Sequence, residues 1–490
     1  MINKIWINIR PFMLPLLLAV YPSLFLYSNN AAITLLSSLI RLLWFNALLA
    51  LVVYLISLLI NKFNAWRGSI SASVFLFYFN IYGMVFNFLY KRDFIRIEHY
   101  TLLPLFILLT FYSVWAIVKI NNFNLHRIWN IASFIMIGLI IINLIKITPA
   151  EIEKRRDLSP VSMPPPSTSI SRNPTYPDIY FIILDEFSGF EPMREYWHYQ
   201  GVDDFKQFLE NNHFFVAEQS HGESQETLHE LATRLNFQEY PCCDQLRTYF
   251  SAIADNRVMR FLKTKGYTTI TFDESESAFP TDLPIKSDYY YGNAPDTYNS
   301  YTIIDNFDKL VIDNTMLRIF SNLYDPLIEF PSLKAHIDML SFTLDKMNNL
   351  EVASPKFVYV HVLLPHMPFI FDSNGFVIAS YYNTNWDDYL DNYIYAIKYA
   401  EKMITNILSH ADPQHPPIII LQSDHGARNQ IYNGNEEHLL KNFPERFKTS
   451  ILFALHVPGL DTSTLPQDIN PINTFPLIFN YLFNSKIPMQ

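Results

Sequence analysis

Five apolar stretches fill the first 150 residues, at about 11–28, 39–60, 69–89, 101–119 and 128–147. Each approaches the roughly 20 residues that a helix needs to cross the hydrocarbon core of a bilayer. Short polar joints such as Asn61-Lys62 and Lys91-Arg92-Asp93 separate them. The pattern predicts five membrane-crossing helices. A set of buried core helices in a soluble protein does not suit five such runs with only two acids among them. The first run has the basic start of a signal peptide. It lacks an obvious small-x-small cleavage site and four more runs follow, so it reads as a retained span. Trp6, Tyr27, Tyr90 and Tyr100 stand near span ends, as interface anchors do.

The pattern changes twice after that. Residues 151–177 carry five prolines between 160 and 174, interleaved with serine, which predicts an extended tether. From 178 onward, short continuous apolar runs alternate with helical patterns. Asp178–Leu184 is a β-branched run of the kind buried on both faces. Thr268–Phe272, Phe357–Val362, Pro417–Gln422 and Ile451–Leu455 are further expected strands. Helices are expected at about 203–211, 226–236 and 386–409. Strands alternating with helices predict one large α/β domain over 178–490, with a mostly parallel sheet covered by helices on both faces. The expected organisation is a transmembrane domain over 1–150, a linker over 151–177 and this globular domain.

Charge sharpens the division. Residues 1–150 hold eleven Lys and Arg against Asp93 and Glu98, a balance of +9, and the remainder stands at −19. The acidic part is a poor partner for nucleic acid, whose phosphates need a basic face. The positive-inside count does not orient the spans. With the N-terminus inside, six basic residues fall on the inner side and eight on the outer. Two adjacent cysteines, Cys242 and Cys243, fit neither a disulfide scaffold nor a zinc-ligand spacing.

Ligands of open parallel sheets bind at the carboxyl ends of strands. The first apolar run is followed by Asp185-Glu186. The run at 357 carries His361 and is followed by Pro365-His366-Met367-Pro368, and the run at 417 by Ser423-Asp424-His425-Gly426. Carboxylates with imidazole suit Zn²⁺ or Mn²⁺. Singly, each feature has an ordinary alternative. Asp185-Glu186 also reads as a polar turn capping a helix, Asp424-His425-Gly426 as a strand-ending turn, and His361 as a hydrogen-bonded core histidine. Thr227 reads equally as the cap or first residue of the helix after it. The coincidence of three such strand ends in one sheet is what points to a site.

With these residues in place, the chain resembles the alkaline phosphatase/sulfatase superfamily. It is similar to the membrane branch that includes lipoteichoic acid synthases and lipid A phosphoethanolamine transferases. The resemblance is carried by Asp178-Ile-Tyr-Phe-Ile-Ile-Leu-Asp185, Ser220-His-Gly-Glu-Ser-Gln-Glu-Thr227-Leu, Tyr359-Val-His361 with Pro365-His366-Met-Pro368, and Gln422-Ser-Asp424-His425-Gly426. It implies Thr227 as nucleophile and metal ligand, and Asp185, Asp424 and His425 as metal ligands, with Glu186 a further candidate. His366, with His361, would bind the phosphoryl oxygens of the substrate. No Cys-x-Pro-x-Arg segment stands at the nucleophile position, which argues against sulfate-ester hydrolysis. No full second metal site is legible, so the resemblance implies one divalent ion, Zn or Mn.

The activity this implies is transfer of a phosphoryl-linked group through a phospho-threonine intermediate. A membrane phospholipid or lipid-linked molecule would be the donor, and a glycan or lipid the acceptor. The branch also implies a bacterial cytoplasmic (inner) membrane location, with the catalytic domain on its outer, periplasmic side. Two alternatives stay open: a phosphodiesterase or phosphatase that hands the group to water, and a catalytically inactive protein of envelope assembly.

Overall fold

The computed structural model describes residues 10–31, 34, 36–90, 98–120, 122–157, 176–241, 246–273, 285–292, 306–378, 386–428 and 444–490. Cys242-Cys243 and the linker residues 158–175 lie outside the described set. The chain forms two compact units, one of Met1–Ser159 with Thr302–Phe330, the other of Pro160–Tyr301 with Pro331–Gln490.

In the first unit five helices are long and apolar enough to cross a membrane: Arg10–Asn30, Leu36–Ile60, Ala65–Leu89, His99–Lys119 and Asn124–Ile152. Their packed faces carry small and polar residues, as helix contacts in lipid do. Ser69, Ser71, Ser73 and Asn80 are buried, and Asn46 donates to Ser23 Oγ at 2.8 Å. Their outer faces carry bare apolar side chains, with Trp44 75% and Phe134 81% exposed. Apolar surface on that scale is at home in lipid and not in water. The last of these helices continues as far as Asp157. It thus takes in 151–157, read above as the start of the tether, because Glu151–Arg156 are sound helix formers and the next proline is Pro160.

A later segment also belongs to this unit. The helix Asn306–Asp313 sets Phe307 and Val311 among Leu24, Tyr27 and Leu39, and Asp308 pairs with Arg41. Gly83 N–H donates to the Asn314 carbonyl at 3.0 Å. A Cβ at Gly83 would stand 2.0 Å from the Asp313 carbonyl oxygen, so the close approach requires glycine.

The second unit is built on seven strands: β1 Ile179–Leu184, β2 Phe215–Val216, β3 Thr268–Asp273, β4 Tyr289–Gly292, β5 Lys356–Val362, β6 Ile418–Ser423 and β7 Phe453–His456. Their order is β2-β7-β6-β1-β5-β3-β4. The pairs β1–β5, β1–β6, β3–β5 and β3–β4 are parallel, and β7 runs antiparallel to β6 and β2. The sheet is therefore mostly parallel, as the alternation of elements predicts. Strand β1 is apolar throughout because both its faces are covered. Ile182 and Leu184 enter one core with Tyr389, Tyr393, Ala396 and Met403 of the helix Trp386–Ser409. Ile179, Phe181 and Ile183 enter the other, with Leu231, Leu235 and Phe475.

Candidate active site

The register of the sheet places the site. Leu184 at the end of β1 lies opposite Val362 of β5 and Ser423 of β6. The residues that follow, Asp185 and Asp424, therefore leave the sheet at the same level, and His361 sits one position back on β5. Asp185 N–H donates to the Val362 carbonyl at 2.9 Å, and His366 N–H to the Asp185 carbonyl at 3.1 Å. One oxygen of Asp424 accepts from Glu186 N–H at 2.9 Å and from His425 N–H at 2.8 Å. Backbone thus holds each carboxyl-bearing turn to its neighbour.

Within this frame Asp185, His361 and Asp424 offer ligand atoms that all lie within 4.8 Å of one another. All three side chains are buried. Asp185 Oδ1, Asp424 Oδ2 and both ring nitrogens of His361 have no hydrogen-bond partner. The His361 nitrogens lie 3.2 Å from Asp185 Oδ2 and 3.7 Å from Asp273 Oδ1, close but not in hydrogen-bonding geometry. Burial opposes charge on His361, yet Asp185 and Asp273 push it up to about 10. Burial likewise pushes Asp185 up, but His366, His361 and His425 together hold its carboxyl well below the usual carboxylate range. Buried anionic oxygens with open lone pairs cost several kcal/mol unless a cation meets them. Two carboxylates and an imidazole form a donor set that a divalent metal ion fits.

Thr227 begins the helix Thr227–Asn236, whose N-cap is Glu226 with no side-chain cap bond. Its Oγ1 lies 3.3 Å from His425 Nε2, and that nitrogen is 3.3 Å from Asp424 Oδ2. His425 Nδ1 donates to the Gly426 carbonyl at 2.7 Å, so the lone pair of the ring sits on Nε2, toward Thr227. The His366 ring is likewise anchored on a backbone carbonyl. Its Nδ1 donates to the Met367 carbonyl at 2.6 Å, and its Nε2 stands 3.8 Å from Glu186 Oε2. The carboxylate of Glu186 turns away from the three-residue cluster to accept Arg428 N–H at 2.7 Å. Glu186 also holds a left-handed backbone, φ 61°, a conformation that costs a side-chain-bearing residue energy and gathers at functional sites.

All seven residues singled out from the sequence therefore gather at one end of the sheet. Asp185, His361 and Asp424 are grouped, Thr227 with His425 adjoins them, and Glu186 faces His366. Sequence reasoning missed three residues that hold this arrangement. Arg234 is fully buried and donates to the carbonyls of Ser423 and Asp424 and to Glu230 Oε2. Glu230 in turn accepts Ser224 N–H at 2.6 Å, which fixes the loop leading to Thr227. The signal for this pair was the i,i+4 spacing of Glu230 and Arg234 on a predicted helix. Arg428, three positions after His425, is the third.

The family model described as Sulfatase matches residues 177–463. The chain belongs to the Sulfatase family. It is thereby a member of the alkaline phosphatase/sulfatase superfamily to which its motifs point. Similar solved structures include the C-terminal periplasmic domain of EcEptC from Escherichia coli, 14% identical over 62% of this chain and 82% of that one, TM-score 0.39. The lipoteichoic acid synthase LtaP from Listeria monocytogenes is 14% identical over 62% and 72%, TM-score 0.37. The integral membrane lipooligosaccharide phosphoethanolamine transferase A from Neisseria meningitidis is 12% identical over 90% and 88%, TM-score 0.35. No curated protein matches the chain.

Proposed function

We propose that this Sulfatase-family chain is a membrane-anchored, metal-dependent transferase of a phosphoryl-linked group, working through phospho-Thr227. The observation that carries the reading is the Thr227 hydroxyl, 3.3 Å from an imidazole lone pair and beside a buried Asp185–His361–Asp424 cluster with open donor atoms. Those three residues, with His425 and Thr227, would hold one divalent ion, Zn or Mn. Bound there, it supplies Lewis acidity that makes the threonine hydroxyl a better nucleophile and offsets charge on the phosphoryl oxygens.

The chain's own groups do the rest. Helix Thr227–Asn236 would offer its N-terminal N–H groups to the attacked phosphoryl group. Thr227 Oγ1 forms the bond to phosphorus as the ester bond to the leaving alcohol breaks. The proton of Thr227 passes to solvent and solvent protonates the departing oxygen, while His366 would bind the phosphoryl oxygens. An acceptor hydroxyl then attacks phospho-Thr227 and regenerates the threonine. The five apolar helices and the superfamily resemblance support a lipid or lipid-linked donor and a lipid or glycan acceptor. They also support a bacterial cytoplasmic (inner) membrane location with the site on its outer, periplasmic side.

The test is trapping. Full-length protein in detergent, loaded with Zn²⁺ or Mn²⁺, is incubated with a headgroup-labelled phospholipid extract, quenched in acid and mapped by mass spectrometry. Label on Thr227, absent from Thr227→Ala, is the expected result. Undiminished label or turnover in Thr227→Ala would sink the assigned nucleophile. Product analysis with and without an added alcohol separates transfer from hydrolysis.

A further inference from the structure

The site as assigned is rich in negative charge. Asp185, Glu186, Asp424 and Glu226 surround a place to which an anionic phosphate ester must come. Besides a metal ion, the crevice needs a fixed cation on the chain. Two candidates are already committed among the described residues. Arg234 spends its terminal nitrogens on two carbonyls and Glu230, and the ammonium group of Lys448 binds Glu445. Arg428 differs in its terminal nitrogens, which make no hydrogen bond among the described residues; its side chain is 13% exposed, and its Nε, like that of Arg234, is buried without a partner. Its nearest carboxylate is Glu226, at 4.0 Å from Nη1. Glu226 directly precedes Thr227, and Glu186, which accepts Arg428 N–H, directly follows Asp185, so Arg428 borders the segments that carry both residues.

We propose that Arg428 is the phosphoryl-recognition residue of this site, its guanidinium fork holding the anionic oxygens of the phosphate ester presented to Thr227. The inference rests on the transferase reading above. A mere ion pair does not account for Arg428. Glu226 is 67% exposed, and so long and wet a contact contributes about 0–1 kcal/mol. It gives no reason to bury a guanidinium with open donors. Burial opposes the charge of Arg428, and Glu186, Asp185, Asp424 and Glu226 more than offset that opposition. With its backbone N–H on Glu186 and its side chain largely buried, the arginine is held among these carboxylates.

Its backbone is also fixed in advance. Arg428 N–H binds Glu186 Oε1, Ala427 N–H binds Ser188 Oγ at 3.1 Å, and Gly426 N–H binds the Lys448 carbonyl at 2.9 Å. Preorganised donors of this kind cost no rearrangement when charge develops on the substrate. The planar fork suits two oxygens of one phosphate, which a lysine ammonium cannot match.

The experiment uses full-length, metal-loaded protein in detergent with bis(p-nitrophenyl) phosphate as substrate and elemental analysis of every variant. Arg428→Ala keeps its metal and loses about 100-fold in kcat/KM, the scale of one lost transition-state donor. Arg428→Lys recovers about tenfold or less of that loss. Added guanidinium salt restores part of the activity of Arg428→Ala, which a structural role would not permit. A kcat/KM for Arg428→Ala within about threefold of wild type overturns the proposal. Loss of metal with no rescue by guanidinium does so as well. The two readings fail separately: turnover that survives Thr227→Ala removes the transferase reading, whatever Arg428 does. If wild type leaves this probe intact, orthophosphate binding by calorimetry decides. A Kd raised about tenfold by Arg428→Ala supports the role, and an unchanged Kd ends it.

Discussion

Arg234 carries a full charge with no exposed side-chain surface. It is tolerated there because two carbonyls and Glu230 engage its terminal nitrogens, and those carbonyls belong to Ser423 and Asp424. One buried pair thereby ties the helix behind Thr227 to the turn that bears Asp424. Breaking such a pair by removing one partner costs about 3–5 kcal/mol. Arg234→Met is expected to lower the melting temperature of the purified protein and to release metal from it; unchanged melting and metal content would contradict the role. Acid should act on the same pair. Burial pushes the Glu230 carboxyl up, but Arg234, His229 and Ser224 N–H hold it below its ordinary 4.5. A folded value below the unfolded one means stabilisation present above 4.5 and lost as pH falls through the folded value. Thermal melts at descending pH should show that slope in wild type and a shallower one in Glu230→Gln.

The same scale shows what could be read in advance. Asp185, His361, His366, Asp424 and His425 were legible because each sits at or just beyond the end of an apolar run. Arg234 and Arg428 were not, because an arginine after a helix start or a strand turn is ordinary until its partners are known. Glu186 was legible as an acid but not as the acceptor of Arg428 N–H, a contact across 242 positions.

At the scale of elements, the site depends on β1 lying between β5 and β6 in parallel. Three strand ends then meet without any long loop having to reach across. The turn after β6 is the tightest part. A Cβ on Gly426 would meet the Phe447 carbonyl oxygen at 2.3 Å and the Ser450 carbonyl oxygen at 2.8 Å. Both are backbone atoms with little room to yield. Gly426→Ala should therefore displace His425, costing about 1–3 kcal/mol of stability. It should weaken metal uptake more than Ala427→Gly does, and equal metal titrations for the two variants would refute this. The central strands were plain in the sequence because both their faces are apolar. The helix Ser321–Asn348 was not, since Pro326 and Pro331 lie inside it and proline argues against a helical interior. Strand β2, two residues long, is defined by its pairing with β7 rather than by any pattern of its own.

For the whole molecule, the proposed metal ion would link chemistry to stability. A ligand bound to the folded chain alone stabilises it by about 2.7 kcal/mol at a free concentration of about 100 Kd. Chelation with EDTA should therefore lower the melting temperature of the purified protein, and Zn²⁺ or Mn²⁺ should restore it. In Asp424→Ala both shifts should vanish. A melting curve indifferent to EDTA in wild type would remove the metal from the account. The bare apolar faces of the five helices also require detergent or lipid throughout these measurements.

The sequence by itself determined the division into a basic, apolar first part and an acidic α/β part. It also determined the central strands and the residue types at their ends. These are local properties, carried by hydrophobic period, strand length and the residues at which an apolar run stops. Tertiary structure alone decided which groups meet. The sheet order brings Glu186 to Asp424 across 238 positions and Thr227 to His425 across 198. It groups His361 with two carboxylates, buries Arg234 under the Asp424 turn and brings Arg428 N–H to Glu186. No spacing along the chain encodes those encounters, because they follow from strand register and from the burial that leaves each polar group needing a partner.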